Sequence, residues 1–201
     1  MVDCDCEIET ADLAESKILI ALLIINGFMF FAEILFGILS ESTALIADSL
    51  DMLADASVYG IALYAVGKSA LDKIRAAHTS GIFQVVLGTS VFLEALRRWI
   101  WGSDPESVFM ILVGIVALMA NVACLIIISR QKSGEVHLRA SYIFSKNDVI
   151  ANLGIIVGGI LVFVLESRFP DLVIGIIISF IVVRGGMQII KDAKNEKRLH
   201  L

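Results

Sequence analysis

The sequence has almost no proline. Pro105 and Pro170 are the only two, and both fall between apolar runs, so no run is interrupted by a missing backbone N–H. Cysteine is scarce as well. Cys4 and Cys6 sit near the N-terminus and Cys124 lies inside an apolar run, a set that excludes a disulfide framework. Positive charge is in the minority: the formal net charge is −5, which argues against a nucleic-acid partner. The opening stretch "MVDCDCEIETADLAES" is acidic rather than basic. A secretory signal peptide is therefore not expected, and the first apolar run reads as a retained helix that starts insertion. Long polar stretches are missing too, which leaves no room for a soluble domain.

What the chain does have is apolar length. Of its 201 residues 58% are hydrophobic, and the mean hydropathy is +0.87, far above a soluble domain. Six apolar segments stand at about 17–39, 43–66, 79–101, 107–129, 140–165 and 171–191. Each is long enough to cross roughly 30 Å at about 1.5 Å per residue, and too long for a barrel strand. The expected fold is an all-α membrane protein, a six-transmembrane-helix bundle. Residues 1–16 read as an acidic tail, 17–191 as the helical transport domain and 192–201 as a short second tail. Lys68, Lys73 and Arg75, then Arg130, Lys132 and Arg139, then Lys191, Lys194, Lys197 and Arg198 fall at one end of the helices. Arg97, Arg98 and Arg168 are alone at the other. The positive-inside bias places both termini in the cytoplasm. Trp99 and Trp101 close the third segment at the opposite face, as interfacial aromatics do.

The second segment, "ALIADSLDMLADASVYGIALYAVG", breaks the apolar pattern with Asp48, Asp51 and Asp55. An Asp near the centre of a spanning helix costs roughly 2.5–3.5 kcal/mol, so three of them need a compensating partner. At about 100° per residue they fall within roughly 60° of one helix face. Asp51 and Asp55 lie toward mid-membrane and Asp48 nearer the outer surface, as a mouth carboxylate. The fifth segment, "RASYIFSKNDVIANLGIIVGG", carries Asp148 and Asn152 one turn apart. Facing helices would join Asp51, Asp55 and Asp148, with Asn152 nearby. Such a group needs a counter-charge in a low-dielectric site. A divalent cation on oxygen ligands supplies it, and protons neutralise the same groups when the metal leaves. That competition is the physical basis of metal/proton exchange. The bland alternative has Asp48 capping its helix and Asp51 and Asp148 pairing with Lys146 or Arg184. It leaves an acid unpaired, because Lys146 is two residues from Asp148 and points away. Asn26 is expected to pack inside the bundle; Glu33 either packs there or lines the path.

"STALIADSLDMLADA", "EVHLRASYIFSKNDVIAN" and "PDLVIGIIISFIVVRGGMQIIKDA", in this order, resemble the cation diffusion facilitator (cation efflux) family over nearly the whole chain. The resemblance implies proton-coupled efflux of Zn²⁺ and related ions such as Cd²⁺, Mn²⁺, Fe²⁺ and Co²⁺ by alternating access. It implies a homodimer in the lipid bilayer, here a prokaryotic cytoplasmic (inner) membrane. The metal is cargo, and no prosthetic group is implied. The family's paired ligands on the second helix fall on Asp51 and Asp55, and the fifth-helix aspartate on Asp148. Two departures follow. The position four residues before Asp148, often His in the family, is Phe144, which binds no metal. Asn152, Asn147, Ser145, Asp48 or a water would fill the gap. Losing an imidazole makes the site harder and weakens a Zn²⁺ preference. It also leaves a carboxylate to carry the proton. Second, the cytoplasmic metal-binding domain common in the family has no counterpart after the sixth segment, so a dimer is expected within the membrane. Gly154 and Gly158 form a GxxxG that serves it or, equally well, close packing within one protomer.

Cys4 and Cys6, among Asp3, Asp5, Glu7 and Glu9, either collect metal at the cytoplasmic mouth or belong to a disordered acidic tail. His78 and His137, in the two cytoplasmic links, either guide metal inward or are solvated. Cys124 reads as helix packing. Among enzymes, a CDP-alcohol phosphatidyltransferase also has six helices and an Asp-rich motif. Here Met52 replaces that motif's Gly, and its Arg is missing. An intramembrane aspartyl protease would need G-x-G-D, which is absent. A membrane sensor that binds metal without transporting it is the remaining alternative.

Overall fold

The computed structural model describes residues 2–65, 70–129 and 136–199; for 2–15, 62, 65, 70, 73, 76, 136–145, 147 and 199 it describes the backbone alone. Every regular element among the described residues is a helix. They are α1 (Val2–Leu39), α2 (Thr43–Ala65), α3 (Ala70–Trp101), α4 (Ser107–Ser129), α5 (Val136–Leu165) and α6 (Phe169–Leu199). Five carry a stretch long and apolar enough to cross a membrane: Ser16–Leu39, Ala77–Trp101, Ser107–Ser129, Asp148–Leu165 and Phe169–Arg198. Of the six expected spans, the exception is α2. Its 23 residues are long enough, but its three aspartates keep it out of the set. The helices also overrun the apolar segments. α1 takes in residues read as an acidic tail, α3 and α5 take in His78 and His137, and α6 runs on through "KDAKNEKRL".

The links show why the helices stop where they do. Between α1 and α2, Glu41 takes a positive φ of 48°, and Ser42 follows as the cap of α2. Its Oγ accepts from the Leu45 N–H at 3.1 Å, the usual satisfaction of a first-turn donor. Between α3 and α4 the chain turns through Gly102, at φ 96°, and Pro105. Pro170 stands in the first turn of α6, where its missing N–H breaks no helical bond.

α2 is the hub. Among the described residues it packs against α1, α3, α4, α5 and α6, and no other helix meets all five of its fellows. α3 and α6 form a pair of very close approach. A Cβ on Gly186 would lie 2.8 Å from the Gly81 carbonyl oxygen and 2.9 Å from the Val85 nitrogen. Glycine is therefore what lets these two backbones touch. The GxxxG of α5 is used inside the chain. Gly158 faces Ile174 of α6, and Gly154 lines an internal cavity.

Apolar side chains are also turned outward: Phe28, Phe31, Phe163 and Phe180 are all more than half exposed. In water such a surface would be an aggregation hazard; in an integral membrane protein it faces lipid. The interior holds polar groups instead, including Asn26, Glu33, Asp48, Gln84, Asn121 and Asn152.

Candidate metal site in the bundle core

One turn of α2 carries the two central acids. Helix periodicity puts Asp51 and Asp55 on the same side, and both line a cavity of about 640 Å³. Asp148 of α5 lines the same cavity, and its carboxyl group meets that of Asp55. The juxtaposition expected from two separate segments is therefore present. α3 adds Gln84 and α6 adds Arg184 and Gln188, with an apolar wall that includes Ile174, Ile178 and Val182. Lys146 is exposed. Among the described residues no Lys or Arg forms an ion pair with Asp51, Asp55 or Asp148. Arg184 shares the cavity without closing a salt bridge, so the bland pairing is not what the fold adopts. Nor, among the described residues, do three His, Cys, Asp or Glu side chains already stand close enough to grip one ion together.

Asp48 does not fit the outer-mouth role. It is 1% exposed, sits against the carboxyl group of Glu33, itself fully buried, and has no share in the cavity lining. The reason is axial. Asp48 lies on nearly the same side of the helix as Asp55 but about 10 Å along it, and there Glu33 of α1 stands against it. Both Glu33 oxygens and one of Asp48 lack a donor. Asp48 is also not the cap of α2. That task falls to Ser42 together with Asp171 of α6. Asp171 accepts from Ser42 Oγ at 2.6 Å, Thr43 N at 2.7 Å and Ala44 N at 3.0 Å. Sequence reasoning missed this role. The signal was "PD" at the head of the sixth segment, but its partner is about 130 residues away.

Asn152 stands one turn after Asp148, and its Oδ1 is buried without a donor. Its Nδ2 donates to the Asp148 carbonyl at 2.8 Å, the side chain is fully buried, and it does not line the cavity. It braces the turn that presents Asp148. Asn26 packs as expected, donating to the Leu22 carbonyl at 2.9 Å and to Cys124 Sγ at 3.7 Å. Cys124 is buried beside Leu19, Leu22, Tyr59 and Ile128, in keeping with packing. His78 is half-buried on α3 rather than in a link. The side chains of Cys4, Cys6, His137, Phe144, Ser145 and Asn147 lie outside the described residues. Gln84 and Gln188 are the polar cavity groups that sequence reasoning passed over. A single glutamine on an otherwise amphipathic helix carries no pattern.

The cation efflux transmembrane domain family matches residues 19–196, nearly the whole helical region. The chain belongs to the cation efflux family. Among its relatives is the zinc transporter ZitB of Pectobacterium atrosepticum, 28% identical over 90% of this chain and 61% of the relative. Another is the cadmium, cobalt and zinc/H(+)-K(+) antiporter of Bacillus velezensis, 25% identical over 88% of this chain and 60% of the relative. A third is the metal cation efflux system protein CzcD of Cupriavidus metallidurans, at 26%, 86% and 58%. The chain thus spans about 60% of the length of these relatives. Family membership decides against the CDP-alcohol phosphatidyltransferase alternative, and these relatives carry the names of transporters, not enzymes.

Proposed function

We propose that this protein exports divalent metal cations in exchange for protons by alternating access. Asp51, Asp55 and Asp148 act as the carboxylate ligands. The observation that carries the reading is their convergence: acids from two helices line one cavity in the middle of an apolar bundle, with no salt bridge among the described residues to neutralise them. Acids so placed need a mobile positive charge. A divalent cation and protons are the two that can alternate there. The relatives' names support the same cargo class, Zn²⁺ and ions such as Cd²⁺ and Co²⁺. An all-oxygen donor set leaves room for Mn²⁺ and Fe²⁺ as well.

On this reading all six helices cross the membrane. α2 is tolerated because the other five cover its acids. Both termini are cytoplasmic, since the Lys and Arg residues gather at that end. Residues 17–191 form the transport domain, flanked by tails at 1–16 and 192–201, in a prokaryotic inner membrane. In one state of the proposed cycle the cavity is open inward, toward the end that holds the termini. Export then requires the carboxylates to be exposed to the other side. That rearrangement would also bring them close enough to hold an ion together. A homodimer would form through lipid-facing helix surfaces, because Gly158 already packs against Ile174 within the chain. Cys4, Cys6, His78 and His137 would lie near the inner mouth, where they could collect metal.

The test is uptake by purified protein in liposomes under an imposed pH gradient, across a panel of metals. Gradient-driven uptake is expected for the parent and a loss for Asp51→Asn and Asp148→Asn. Variants that transport like the parent would refute the ligand assignment. A parent that binds metal but moves none would instead be the sensor. Phe144→His restores an imidazole beside Asp148 and is expected to shift preference toward Zn²⁺. An unchanged order of preference would remove Phe144 from the ligand position.

A further inference from the structure

The cavity has a fourth polar wall that the carboxylate reading does not use. Gln84 of α3 lines it together with the acids of α2 and α5. Its side chain is only 4% exposed, and its Oε1 is buried without a hydrogen-bond donor. A buried acceptor in that state is unfavourable and calls for a partner. The cavity offers few. Ionised Asp51, Asp55 and Asp148 are acceptors themselves, and Arg184 makes no hydrogen bond to Gln84. A cation is the partner that satisfies both the acids and the amide oxygen.

We infer that Gln84 donates its side-chain oxygen to the transported cation and biases the site toward harder divalent metals. The inference rests on the proposed transport site of Asp51, Asp55 and Asp148. An amide carbonyl is a neutral, hard ligand, suited to ions that take oxygen donors. It adds coordination without adding negative charge to a cavity that three carboxylates already line. It also supplies the metal from a third helix. α3 packs against both α6 and α2, most closely where Gly81 meets Gly186, so Gln84 moves with α3 and α6 when these shift against α2. When α3 and α6 move relative to α2, Gln84 would leave or join the coordination shell. That makes it a specificity-determining residue.

The test uses the purified full chain and measures Mn²⁺, Zn²⁺ and Cd²⁺ binding by calorimetry. Gln84→Leu is expected to weaken Mn²⁺ binding about tenfold and Cd²⁺ binding much less. Gln84→His is expected to reverse the bias, improving Zn²⁺ over Mn²⁺ about tenfold. A role in packing alone would lower thermal stability without changing the order of the metals, and that result overturns the inference. If Gln84→Leu does not fold, the near-isosteric Gln84→Glu carries the test through bound Co²⁺. An altered visible spectrum is expected, and an unaltered one overturns the inference. Asp51→Asn separates the two levels. If it abolishes binding while Gln84→Leu and Gln84→His leave the metal order intact, the transport site stands and the role of Gln84 falls. If Asp51→Asn binds like the parent, the transport site itself falls, and the role of Gln84 with it.

Discussion

Asp48 shares a helix face with Asp51 and Asp55 yet meets Glu33 instead of the cavity. The difference should be visible in mutants. Asp51→Asn or Asp148→Asn takes one anionic oxygen from the proposed cation. Metal affinity is expected to fall at least about 100-fold, the upper end of the range by which metal-site substitutions act, with the fold retained. Asp48→Asn should behave otherwise. The Glu33 oxygens have no donor, and an amide at position 48 would offer one. Stability is expected to hold or rise by about 1 kcal/mol, the net worth of a buried hydrogen bond, as read from thermal unfolding in detergent. A marked loss of stability would show that the acid pair is held by something other than contact between its carboxyl groups. Asn152 belongs to a third kind: its amide holds the Asp148 carbonyl, so it shapes the site from behind.

Two elements set the geometry that these residues depend on. The start of α2 is fastened to α6 by the three hydrogen bonds that Asp171 accepts. Two of the donors are first-turn N–H groups, which would otherwise be orphaned at the positive end of the helix dipole. Asp171→Ala is expected to destabilise by about 2 kcal/mol, at the high end for a lost cap, and a denaturant titration would measure it. The α3–α6 contact is the second. Gly186→Leu would drive a side chain into the backbone at Gly81 and Val85, so the helices must part. Lower thermal stability and loss of transport are expected together. Gly27→Ala is the control. Nothing lies within 4 Å of its added Cβ, and replacing a mid-helix glycine should stabilise by about 0.5–1 kcal/mol. If both glycine variants behave alike, close approach is not what holds α3 to α6.

For the whole molecule the central expectation concerns pH. Metal ligands must be deprotonated to bind, so on the proposed assignment protons and metal would compete for Asp51, Asp55 and Asp148. Apparent metal affinity is expected to decline as pH is lowered, by at most about tenfold per pH unit for each proton displaced. In liposomes, collapsing the pH gradient with a proton ionophore should stop uphill metal movement while leaving downhill binding intact. Uphill movement that survives the ionophore would rule out proton coupling.

The helical class, the apolar segments and the acids that line the cavity were legible in the sequence, because each is a local property. Apolar length sets a helix that must leave water, and a period of 3.6 residues sets which acids share a face. "ADSLDMLADA" and "FSKNDVIAN" therefore pointed to Asp51, Asp55 and Asp148 before any contact was known. Helix ends were less legible: α1, α3, α5 and α6 extend past their apolar stretches, since polar turns can continue a helix beyond hydrocarbon. Only the tertiary structure decided how each helix is rotated against its neighbours. That packing puts Glu33 against Asp48, ties α2 to Asp171 and brings Gln84 into the cavity lining. A change of one residue in packing register turns a helix by about 100°. No local pattern constrains that angle, and the composition of the site depends on it.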